Sequence, residues 1–143
     1  MDALNLTLIV HIIATTAMCG ITWFVQIVHY PLFQRVGEPG FSEYETAHSR
    51  LTSLVVAPLM LVEAIAAIGL AVWLPARPLV WAGLGLLVLI WASTFFLQVP
   101  QHRRLEGGFE TAVHRRLVRT NWLRTLGWSV RVAIAAVLLS RTT

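Results

Sequence analysis

The chain has 143 residues, of which 57% are hydrophobic and only 13% charged, with a formal net charge of +4 and a mean hydropathy of +0.70. This is too apolar for an ordinary soluble domain, where about a quarter of the residues are charged, and no G-x-S-x-G, P-loop, dinucleotide glycine fingerprint or Cys/His finger spacing occurs. Nucleic acid is excluded as a partner, because the eleven basic residues are all Arg and cluster at the ends of apolar runs, as topology and lipid headgroups require.

The chain begins with Asp2-Ala3-Leu4-Asn5, which lacks the basic start of a signal peptide, so the first apolar run is expected to remain as a span. A first helix over residues 3–33 exceeds the ~20 residues that cross a hydrocarbon core, and Pro31 with Gly37-Glu38-Pro39-Gly40 stops it. It holds Cys19, the single thiol, so no internal disulfide can form. A second helix over 41–74 is expected to open on Ser42 as N-cap with Glu45 at the capping-box position, and to kink at Pro58. After the stiff turn Pro75-Ala76-Arg77-Pro78, a third helix covers 79–105, bent near Pro100, and a fourth covers 109–140. The expected fold is all-α: a four-transmembrane-helix bundle, one membrane domain over 1–143, built from two tandem pseudo-symmetric hairpins at about 3–74 and 79–140.

Arg35, Arg50, Arg103, Arg104, Arg115, Arg116 and Arg119 all fall at the ends joined by the first and third connections, against Arg77 and Arg141 opposite. Basic residues near span ends are retained in the cytoplasm. The expected location is thus the cell (inner) membrane, multi-pass, with both termini on the outer side.

Polar residues recur at helical spacing inside these apolar runs. They are His11, Thr15, Thr22, Gln26 and His29 in the first helix, and His48, Thr52 and Glu63 in the second. Thr94, Gln98 and His102 follow in the third, and His114, Asn121, Arg124, Trp128 and Arg131 in the fourth. Such stripes should face the bundle interior. The threonines read as ordinary interhelical glue. Glu63 and Arg131 are expected to pair as an intramembrane ion pair, or Glu63 to be protonated, since an unpaired charge at that depth costs at least ~2.5 kcal/mol. His11 stands ~27 Å from His29 along a helix and reads as a polar contact near the outer face, or as one end of a proton path.

The segment Glu45-Thr46-Ala47-His48-Ser49-Arg50-Leu51 returns as Glu110-Thr111-Ala112-Val113-His114-Arg115-Arg116-Leu117. Glu-x-x-His places a carboxylate and an imidazole on one helix face, as in four-helix carboxylate proteins that hold metal ions. His29, His48, His102 and His114 are therefore the candidate metal ligands, for one or two ions of Fe or Cu, with Mn or Zn as alternatives. Glu45 and Glu110 would be ligands or proton acceptors, with Gln26 and Gln98 orienting the ligands. Two facing histidines could equally ligate haem b axially, with Arg50, Arg103, Arg115 or Arg116 at the propionates. Glu in a first helical turn and His near an interface also have a plain structural reading as capping and interfacial polarity.

Val99-Pro100-Gln101-His102, followed by Thr120-Asn121-Trp122-Leu123-Arg124-Thr125, resembles the small membrane proteins grouped as anthrone-oxygenase-like, which carry a V-P-x-N segment ahead of N-x-x-R-T. His102 departs from that pattern. Trp23-Phe24-Val25-Gln26 and His29-Tyr30-Pro31-Leu32-Phe33 look more loosely like the HemJ-type haem-linked membrane proteins. Both resemblances imply redox chemistry on a hydrophobic or aromatic substrate.

The expected function is a membrane oxidoreductase using a metal ion or haem at the cytoplasmic end, acting on a lipophilic or aromatic molecule from the bilayer, with Asn121 and Arg124 lining its cavity. The alternatives are a proton, ion or small-molecule carrier using the polar stripes, or a structural subunit of a membrane complex; the parallel duplication and small size also suit a homodimer. The topology is checked with an impermeant thiol reagent on intact cells. Arg77→Cys should be labelled and Gly107→Cys should not, in a Cys19→Ser background.

Overall fold

The computed structural model describes residues 2–142, and every extended element among them is helical. Four rods make up the chain: α1 (Ala3–Arg35), α2 (Glu38–Trp73), α3 (Pro78–Leu105) and α4 (Thr111–Ser140), each long and apolar enough to cross a membrane. The rods pack in a ring, α1 against α2 and α4, α4 against α3, and α2 less closely against α3. Only 22% to 39% of their most apolar windows is buried. The fold thus turns its apolar residues outward, while Glu45, Glu63, Arg124 and Arg131 are buried.

Helix starts follow backbone chemistry more than side-chain caps. Asp2 caps α1 through the Asn5 amide at 2.8 Å. The expected Ser42 cap and Glu45 capping box are not formed, because α2 opens upstream at Glu38, with Gly37 extended before it and Pro39 in its first turn. Proline there has no amide to leave unsatisfied and its fixed φ suits a helix start. Ser42 instead donates to the Glu106 carbonyl, tying the first turns of α2 to the connection after α3. The last helix opens at Thr111, two residues later than expected, and α2 continues through Pro58 unbroken.

Prolines set the local geometry of α1 and α3. Val25–His29 and Thr94–Gln98 are single wide turns, closed by the Tyr30 amide to the Val25 carbonyl and the Val99 amide to the Thr94 carbonyl. Pro31 and Pro100 follow each turn at the same offset. A proline lacks the amide for the usual bond and crowds the carbonyl four residues back, and a widened turn relieves that crowding. The extra residue also rotates everything after it. In α1 the buried positions run Thr22, Gln26, Tyr30, Phe33, so Tyr30 takes the inward place that uniform spacing assigned to His29.

Three apolar clusters stack along the bundle. Tyr30, Phe33, Phe41, Leu105, Val113 and Leu117 fill the arginine-rich end; Met18, Met60, Ile90 and Trp128 fill the middle; Leu8, Leu70, Val80 and Leu138 fill the opposite end. Helices α3 and α4 come close together at Gly127, where an added Cβ would lie 2.8 Å from Cγ1 of Ile90. Gly127→Ala should therefore cost about 1–3 kcal/mol through overpacking. Thermal unfolding in detergent should show the loss, and Ile90→Ala in the same chain should recover part of it.

Candidate functional site

Two polar networks occupy the interior, one on either side of the middle apolar cluster. The first centres on Glu63 and Arg131. The Glu63 carboxylate accepts from Arg131 Nε at 2.9 Å, from the Thr15 hydroxyl at 2.9 Å and from the Trp128 indole at 2.8 Å. Arg131 also donates to the Gly83 carbonyl and lies 3.2 Å from Nε2 of His11. Every rod contributes a group, and both charges meet hydrogen-bond partners. The expected Glu63–Arg131 pair is present, and the polar contact expected of His11 is made to Arg131.

The second network lies toward the arginine-rich end. Glu45, fully buried, bonds Nδ1 of His102, and Nε2 of His102 lies 2.8 Å from the Tyr30 hydroxyl. A carboxylate only accepts, so His102 donates from Nδ1, and Nε2 is left to accept from Tyr30. Beside this chain, Nε2 of His29 lies 2.8 Å from Nδ1 of His48, and the Thr52 hydroxyl lies 3.1 Å from the same nitrogen. Toward the middle of the bundle, Gln26 of α1 donates to the Val118 carbonyl of α4 and accepts from Asn121 Nδ2 at 3.0 Å. Asn121 Oδ1 then accepts from Arg124 at 3.2 Å.

Some of these groups border a cavity of about 300 Å3 between α2 and α3. Its polar wall includes Tyr30, His48, Thr52, His102 and Arg124, and its apolar wall includes Ile21, Val56, Met60 and Phe95. An apolar chamber with a few convergent polar groups is the usual form of a small-molecule site, and this volume sits at the small end of the range. No known protein family matches the chain, and no curated protein or solved structure matches it significantly.

The residues expected at a cofactor site are only partly brought together. His29, His48 and His102 meet, with ring centres 4.5 Å apart for the first two and 5.4 Å for the last two. His114 is set apart: its Nε2 donates to the Tyr30 carbonyl at 2.7 Å, and its ring packs on Phe33 and Phe109. Glu110, Arg50 and Arg115 are exposed, and Gln98 bonds Ser93 and Thr120 rather than any histidine. Among the described residues no three His, Cys, Asp or Glu side chains are placed to hold a metal ion. The donor set thus does not form the expected four-histidine centre, because His114 is turned away from the other three.

The repeats also differ in content. Set in register on Pro31 and Pro100, His29 stands opposite Gln98 and Phe33 opposite His102, while Glu45 is buried and Glu110 exposed. Tyr30 was not among the expected site residues, and the proline two turns past Thr22 was the only sequence signal for the turn that carries it inward.

Removing one member of the deeper ion pair leaves an uncompensated charge, a loss of about 3–5 kcal/mol for buried pairs. Arg131→Met should lower the unfolding midpoint sharply, and Arg131→Met combined with Glu63→Leu should restore much of it.

Proposed function

We propose that this chain is an integral membrane oxidoreductase that draws a lipophilic, weakly acidic aromatic molecule from the bilayer into the cavity between α2 and α3 and deprotonates it there. The observation that carries this reading is the Glu45–His102–Tyr30 chain, which ends on the wall of an apolar cavity. A carboxylate that fixes an imidazole, which in turn accepts from a hydroxyl, is the arrangement of a general base with an orienting partner. Tyr30 is the group that meets the substrate, His102 takes or returns the proton, and Glu45 positions His102 and stabilises its charged form.

The membrane setting is supported by four apolar rods that keep charge inside and large apolar side chains outside. Because α2 and α3 make the loosest contact in the ring, the cavity is bounded where a hydrocarbon-soluble molecule could enter laterally. Deprotonation makes a hydroxyaromatic electron-rich, and the oxidant suited to this site is a hydrocarbon-soluble acceptor, dioxygen or a quinone. A carrier path from His11 to the histidines has less support, since Met18, Met60, Ile90 and Trp128 fill the bundle between the two networks.

The test is turnover of hydroxynaphthalenes and hydroxyanthracenes by protein purified into lipid nanodiscs, followed as oxygen uptake or quinone reduction. Tyr30→Phe, His102→Asn and Glu45→Gln should each lower the rate by about 10²–10⁴-fold. Wild-type rates in Tyr30→Phe and His102→Asn would remove the proposed relay.

A further inference from the structure

The interior charges are unequally matched. Glu63 is paired with Arg131 and Glu45 with His102. Arg124 is buried to 8% exposure, yet no carboxylate among the described residues lies within ion-pair distance of it. Its Nε has no hydrogen-bond partner at all. The contacts that it does make are to neutral groups: the Asn121 side-chain oxygen, the Tyr30 hydroxyl and the Trp128 ring, whose centre lies 5.4 Å from the guanidinium carbon. A buried guanidinium without an anion is costly to the fold, and folds that keep one normally use it.

The guanidinium is also held in place. Asn121 must present its oxygen to Arg124, because its amide nitrogen is taken by Gln26, and Gln26 is fixed in turn by the Val118 carbonyl. This chain of neutral groups orients the cation at the wall of the same cavity that Tyr30, His48 and His102 border.

We infer that Arg124 is the anion-binding group of the cavity, pairing with an oxyanion of the ligand, either a carboxylate or the enolate or phenolate oxygen of a deprotonated ring. The ligand's flat apolar body lies against Val56, Met60 and Phe95. The assignment of this ligand as substrate rests on the function proposed above, since the anion formed by the Tyr30–His102 relay is the species that Arg124 would hold. Anion binding itself does not depend on turnover. A guanidinium offers several N–H donors in a plane and suits an oxyanion better than an ammonium does.

The experiment compares 2-naphthoate with 2-naphthamide, which share a shape and differ in charge, by calorimetry and thermal shift on the intact detergent-purified chain. Naphthoate should bind at least tenfold more tightly than naphthamide to the wild type. Arg124→Gln should abolish that difference and Arg124→Lys should reduce it. Unliganded Arg124→Gln should melt no lower than the wild type, unlike Arg131→Gln, which strands Glu63. Equal binding of the two probes, or undiminished naphthoate binding by Arg124→Gln, would overturn the inference. A phosphatidylglycerol headgroup carries the same charge, so the lipid is titrated in parallel; Arg124-dependent binding of the lipid with no binding of naphthoate would overturn the ring-bearing ligand. Charge-selective naphthoate binding alongside intact turnover in Tyr30→Phe would retain the anion site and remove the relay, whereas the reverse pattern would do the opposite.

Discussion

The Glu63–Arg131 ion pair is the interaction on which the bundle depends. Thr15 and His11 reach it from α1, Glu63 from α2, the Gly83 carbonyl from α3, and Trp128 with Arg131 from α4. Helices that keep their large apolar side chains facing outward bury few of them against one another, so directional polar contacts and close packing fix their arrangement. A charge pair in that environment is a strong constraint, because each partner is expensive without the other. Gly83 and Gly127 allow the close approach that the pair needs, with α3 and α4 backbones near enough for Arg131 to reach a carbonyl.

Beyond the middle apolar cluster the charged groups are less completely matched. The deeper network answers both charges and leaves only the neutral His11 ring nitrogen Nδ1 without a partner, whereas the network beside the cavity leaves atoms of two ionisable groups, Glu45 Oε2 and Arg124 Nε, without partners. Buried polar groups in folded chains are nearly always bonded, and the exceptions concentrate where a ligand supplies what the chain omits. Trp128 joins the two regions, donating to Glu63 on one side and lying beneath Arg124 on the other. The scaffold that holds the bundle together therefore also supports the cation at the cavity.

Much of this was legible because helical periodicity and membrane polarity are local rules. The four rods, their approximate bounds, the polar stripes of α1 and α4 and the Glu63–Arg131 pair all follow from spacing along single helices and the cost of isolated charge. The expected four-histidine centre rested instead on repetition of short motifs. Glu45 and Glu110 look equivalent in sequence, yet one lies within α2 against His102 and the other lies before the first turn of α4. One inserted residue in the second copy, Val113, places Glu110 and His114 four apart instead of three, and His114 turns toward a backbone carbonyl.

The amino-acid sequence by itself determined that the chain forms four long apolar helices with charge directed inward, because span length, polarity and proline placement act within each helix. Only the tertiary structure decided which polar groups meet. The wide turns ahead of Pro31 and Pro100 rotate α1 and α3 by one residue, bringing Tyr30 to His102. That no carboxylate among the described residues lies within ion-pair distance of Arg124 is likewise a property of the assembled bundle. Pairing between side chains 57 or 68 positions apart, as for Glu45 with His102 and Glu63 with Arg131, depends on helix rotation and ring order. Helical periodicity within one segment carries neither quantity, since both are fixed by packing against the other three.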